Sequence, residues 1–154
     1  MKAFLLAGAL GCAAQLTTGC KHDTDTAPVG YDTLAGATGH WEWDRSIYGF
    51  ASPRTPASVG FTRQLVFAAD GQLAVKRNGQ NYYQTGYQRS VGTGGPCASP
   101  NAPVVTFTSE NGLPNSDAKA YGVEQQNGQR TLYLNGAATC LDGDAYETYH
   151  WVAE

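Results

Sequence analysis

The chain has 154 residues, only 15% of them charged, and its 10 basic and 13 acidic side chains leave a formal net charge of −3. A mildly acidic surface without a basic cluster excludes nucleic acid as a partner, and the length suits one domain with one hydrophobic core. The 19 glycines and 9 tyrosines point to a turn-rich chain of strands rather than to helices.

Met1-Lys2 carries one positive charge and leads into an apolar run from Ala3 to Ala14. About 12 apolar residues are too few to span a bilayer as a helix, whereas a charged start before such a run is the pattern of an export leader. The run gives way to Leu16-Thr17-Thr18-Gly19-Cys20. This string resembles the lipobox of bacterial lipoproteins, with small residues before a cysteine and the leucine one place early. The resemblance implies removal of residues 1–19, acylation of Cys20 and a lipid-anchored address in the cell envelope, at the outer membrane. Residues 20–36 then form a lipidated tether, polar and without sustained periodicity, and residues 37–154 form the domain.

The cysteines sort by position. Cys12 leaves with the leader and Cys20 becomes a thioether, so Cys97 and Cys140 remain. In an oxidising compartment they are expected to form a disulfide. Such a bridge would close a loop of about 44 residues and stabilise the fold by about 4 kcal/mol in the chain-entropy picture. Two buried free thiols are the plainer alternative.

From Thr38 the pattern is strand, turn, strand. Gly39 to Ile47 alternates, with Trp41, Trp43 and Ile47 on one face and His40, Glu42 and Asp44 on the other. A loop with Ser52-Pro53, Pro56 and Ser58 runs to Gly60. Phe61, Leu65 and Phe67 fall at even spacing, with Arg63 interrupting their face. Asp70-Gly71 and Asn78-Gly79 are turn pairs on either side of Leu73 and Val75. Tyr82, Tyr83 and Tyr87 belong to the next strand, which reaches about Val91, and Gly92 to Pro103 is a long loop. Val104 to Phe107, the segment around Tyr121 and Val123, Thr131 to Leu134 and Ala145 to Val152 complete the set, the last with Tyr149 and Trp151 on one face. No helix is expected after the leader. About eight antiparallel strands with short links are most simply closed into an up-and-down barrel, which leaves no open edges; a two-sheet sandwich is the alternative. In such a meander the loop of Cys97 and the loop of Cys140 fall at opposite ends, so a bridge needs one of them to fold back along the wall.

Gly39-His40-Trp41 resembles the Gly-x-Trp motif of lipocalins. With Glu42-Trp43, the string Pro56 to Phe67 and Asp70-Gly71, the chain is similar to the small lipocalin-like lipoproteins of Bacteroidetes over most of residues 38–154. The resemblance implies an all-β, lipocalin-like barrel that binds a small apolar ligand or an envelope partner. The chain departs from lipocalins in having no Arg near the end of the last strand to lie over the first-strand Trp, which argues against a deep pocket.

Residues for catalysis are lacking. No His-x-x-x-His or Cys-x-x-Cys spacing supports a metal site, and Asp142-Gly143-Asp144 reads as a hairpin turn before it reads as a calcium loop. No Gly-x-Ser-x-Gly or phosphate loop is present. His40 and His150 become surface neighbours if the first and last strands pair. Glu42, Asp44 and Glu147 have solvated outward positions as their default, and the chain is expected to be no enzyme and to need no cofactor. The aromatic set Trp41, Trp43, Phe61, Phe67, Tyr87, Phe107, Tyr121, Tyr149 and Trp151 is the candidate ligand lining. In an eight-stranded barrel such side chains either fill the middle or leave room for one small ligand, and filling is the simpler outcome at this length.

Overall fold

A computed structural model describes residues 30–36, 38–93, 99–108, 117–136 and 144–154. The expected leader, the acylation site at Cys20 and the pair Cys97 and Cys140 lie outside the described residues.

Eight strands follow one another: β1 (His40–Tyr48), β2 (Arg63–Phe67), β3 (Gln72–Arg77), β4 (Gln80–Gly92), β5 (Ala102–Phe107), β6 (Asp117–Gln126), β7 (Gln129–Gly136) and β8 (Ala145–Val152). Each pairs antiparallel with the next, and β8 returns to pair with β1, so the sheet closes into an up-and-down barrel. This is the all-β up-and-down barrel that the strand pattern predicts. Asn78-Gly79 and Asn127-Gly128 form its tightest links, with positive φ at all four residues; that turn twists with its strands, and asparagine and glycine tolerate it best.

The barrel has two unlike ends. The base is where β1 begins; the mouth carries the β1–β2, β3–β4, β5–β6 and β7–β8 links. The strands on either side of Cys97 join at the base and those on either side of Cys140 at the mouth.

Two features depart from the sequence pattern within the wall. Trp43 pairs with Tyr149 while Arg45 pairs with Thr148, so Asp44 is an extra residue in β1. One inserted residue reverses the faces beyond it. Ser46 rather than Ile47 therefore joins Trp41 and Trp43 inside, and Ser46 is buried. The β1–β2 link also contains a short helix, α1 (Pro56–Val59), where none was expected. Thr55 and Ser58 cap it reciprocally, Pro56 opens it and Gly60, at φ +78°, ends it. Four residues are too few to register as a helical period.

Residues 30–36, expected as the end of the tether, fold across the base instead, beginning with a 3-10 turn at Tyr31–Thr33. Leu34 is fully buried, and the Trp41 indole N–H donates to its carbonyl at 2.8 Å. The Tyr121 hydroxyl donates to the Tyr31 carbonyl at 2.6 Å, and Arg130 Nη2 to the Thr33 carbonyl at 2.5 Å. The Arg130 guanidinium lies 5.1 Å from the Trp41 ring and 4.7 Å from that of Trp151. The arginine missing from the last strand is thus supplied by the start of β7. Gly39 has φ +132°, and a Cβ there would run into the Val152 carbonyl oxygen and the Trp151 ring, so glycine at the head of Gly39-His40-Trp41 is required sterically.

Candidate functional site

Two residues of opposite charge stand on the apolar faces of their strands. Arg63 is in line with Leu65 and Phe67 on β2, and Glu147 is in line with Ala145 and Tyr149 on β8. The two-residue period aims both side chains inward, which corrects the outward default for Glu147. Two strands apart across β1, they meet: Arg63 Nη2 donates to Glu147 Oε1 at 2.5 Å, with 28% and 9% of the two side chains exposed.

Neighbouring groups complete the shell of this carboxylate. Ser46 Oγ donates to the same Oε1 at 3.0 Å, and the Tyr149 hydroxyl donates to Oε2 at 3.1 Å. Ser46 in turn accepts from the Trp43 indole N–H at 3.0 Å. The bulge at Asp44 makes this possible, because it turns Ser46 inward. Arg63 also lies over two rings, 4.8 Å from that of Trp43 and 5.4 Å from that of Tyr149, and its Nε is buried without a partner among the described residues.

Burial and charge pull against each other here. Burial alone would weaken the Arg63 charge, but Tyr149 and Glu147 more than offset it and hold the guanidinium above its ordinary value. Burial, and then the Glu147 carboxylate, push the Tyr149 hydroxyl well above the usual tyrosine range. The hydroxyl therefore stays protonated and donates. Chemically the cluster is a fixed, charged floor beneath the mouth.

Above it, among the described residues, the mouth is aromatic and basic. Phe61 stacks on Trp43 with centroids 6.0 Å apart, and the Arg77 guanidinium sits 3.8 Å from the Phe61 ring. Arg54 lies 5.1 Å from the Tyr48 ring, and Lys119 Nζ is 3.8 Å from Asp144 Oδ1.

Below the cluster lies the hydrophobic core. Of the nine expected lining residues, Trp41, Trp43, Phe67, Tyr87, Tyr121 and Tyr149 are buried, none with more than 7% of its surface exposed. Phe61, Phe107 and Trp151 are partly buried and pack against this core. The nine thus belong to one packed interior, with Trp43, Tyr149 and Phe61 reaching the mouth cluster and Trp41 and Trp151 the base.

Sequence reasoning missed Ser46, Arg77 and the inward Glu147. The signal for Glu147 lies in its strand: a lone acid at even spacing between Ala145 and Tyr149, as Arg63 is a lone base on its own apolar face. No signal marks the bulge that turns Ser46 inward.

The outer histidines take separate partners. His40 lies 3.3 Å from Glu42 and 3.0 Å from Glu154, while His150 Nδ1 lies 2.6 Å from Asp44 Oδ1. Glu42 and His150 are direct partners across β1 and β8, so closure does bring this polar strip together. Among the described residues no three metal-ligating side chains converge.

Comparison of the chain with protein-family models, with curated proteins and with solved structures gives no match in any of the three.

Proposed function

We propose that the protein is a lipid-anchored envelope lipoprotein whose barrel is a non-catalytic binding module, with the ligand or partner received at the mouth rather than in a deep cavity. One observation carries the reading. The barrel is packed from the base to Trp43 and Tyr149, while at the mouth Tyr48 and Tyr83 keep 38% and 42% of their surface exposed. The buried aromatic core and the exposed rim together support binding at that rim. The lipobox-like string ending at Cys20 supports the anchor, and several acyl chains hold a protein on a bilayer where one does so marginally. Gly39-His40-Trp41 under Arg130 supports the lipocalin resemblance. Because residue 30 lies at the base, an anchor at Cys20 would hold the base toward the membrane and direct the mouth away from it.

The packed interior also favours a second reading, a structural or assembly lipoprotein that binds nothing small. Both readings share the anchor, and intact mass of the mature protein from its host tests it. Loss of residues 1–19 with fatty acids on Cys20 is expected; a full-length, unmodified chain would refute the anchor. Alkylation before reduction, in the same measurement, reads Cys97 and Cys140: a bridge leaves both unlabelled, and two labelled thiols would refute it.

A further inference from the structure

Among the described residues, the mouth presents more positive charge than its carboxylates neutralise. Arg63 and Arg77 are direct partners across β2 and β3, on the inward face of the sheet with Leu65 and Val75. Like charges placed opposite one another on one face destabilise a sheet. Glu147 answers only Arg63. Among the described residues neither Arg77 nor Arg54 has an ion-pair partner; each lies over a ring instead, Phe61 and Tyr48 respectively. Lys119 is matched by Asp144. Among the described residues, a chain with a net charge of −3 thus carries two guanidiniums without an ion-pair partner at one rim.

We propose that this rim binds a small organic anion, a carboxylate on a flat apolar body, with Arg77 and Arg63 as the recognition pair. The inference rests on the mouth being the binding end. The Arg77 guanidinium fork matches a planar carboxylate, Arg63 adds positive charge beside it, and their stacking on Phe61 and Trp43 fixes both in advance, which lowers the entropy lost on binding. Glu147 keeps Arg63 in place rather than cancelling the site, since Arg77 stays unmatched. The apolar body has Tyr83 beside it and Tyr82, 65% exposed, whose rings pack edge to face at 5.6 Å. A membrane surface is disfavoured as the occupant: both arginines lie on the barrel's inner face, and the mouth points away from the anchor.

The test is titration of the full mature protein in detergent with naphthoate and, separately, with its neutral amide, read by tryptophan fluorescence and calorimetry. Saturable naphthoate binding is expected, at least about tenfold tighter than the amide and weakening as salt is added. Arg77→Gln, at an exposed position, should keep the melting temperature and lose about tenfold or more in naphthoate affinity; Arg77→Lys should recover part of it. Equal binding of acid and amide, unchanged in Arg77→Gln, would overturn the anion inference and leave the mouth as an apolar site. Binding of neither probe would overturn the inference and count against the mouth as a small-molecule site altogether.

Discussion

Glu147 sits where a strand pattern asks for an apolar side chain, and it is tolerated because three donors surround it. An unpaired carboxylate there would lose several kcal/mol of solvation, and partnered burial is the way proteins avoid that loss. The pair Arg63 and Glu147 is accordingly better read as specifying the arrangement of the mouth than as a large net source of stability. Tyr149 gives this a pH signature. Its hydroxyl is held above the ordinary range, so in alkali the unfolded chain releases this proton before the folded chain does. Stability from this group is full below about pH 10, the unfolded value, and declines as pH rises above it. Tyr149→Phe should cost about 1.5–3 kcal/mol at neutral pH, as expected for a lost hydrogen bond to a charged group, and should flatten the alkaline decline. Urea unfolding at several pH values measures both; an unchanged alkaline slope would mean that other tyrosines carry it.

At the scale of elements, irregularities do more than the regular strands. The extra residue at Asp44 reverses β1 so that Ser46 reaches Glu147. Beyond that bulge β1 leaves β2 and exchanges two backbone hydrogen bonds with Arg54, at 2.9 and 2.8 Å. The splay gives Arg63, at the start of β2, a path across β1 to β8. A second shift, at Tyr82 in β4, leaves that residue without a partner on β3 and exposed at the rim. Bulges commonly re-aim side chains in this way. At the base the decisive element is Gly39, whose backbone lies against Val152 and Trp151. Gly39→Ala combines a positive φ with a clash and should cost about 3 kcal/mol or more. Thermal unfolding of the variant checks this, and a loss below about 1 kcal/mol would mean that the base yields easily.

For the whole molecule, closure of the sheet and closure of the base are separate events. The strand ladder joins β8 to β1, and residues 30–36 then seal one end through Leu34, Trp41 and Arg130. The seal distinguishes the base from the other end of the barrel. If the strap is an integral part of the fold, Leu34→Ala should cost about 2–5 kcal/mol, the range for a buried leucine. If it behaves as tether, denaturant midpoints of the variant and the parent will coincide. The strap also places residue 30, the first described residue, at the base of the barrel.

The strand count, the up-and-down order and the aromatic interior were legible in the chain because they depend on local alternation and on turn pairs such as Asn78-Gly79, which act within a few residues. Arg63 was visible as an interruption of an apolar face, although its partner was not. The meeting of Arg63 with Glu147, the inward turn of Ser46, the supply of Arg130 to Trp41 and the opposition of Arg63 to Arg77 were decided only by the tertiary structure. Each joins residues from different strands, and pairing across a closed sheet depends on register and on bulges. A one-residue insertion that inverts a face leaves no mark in composition or periodicity, so the charged floor of the mouth exists only once the barrel has closed.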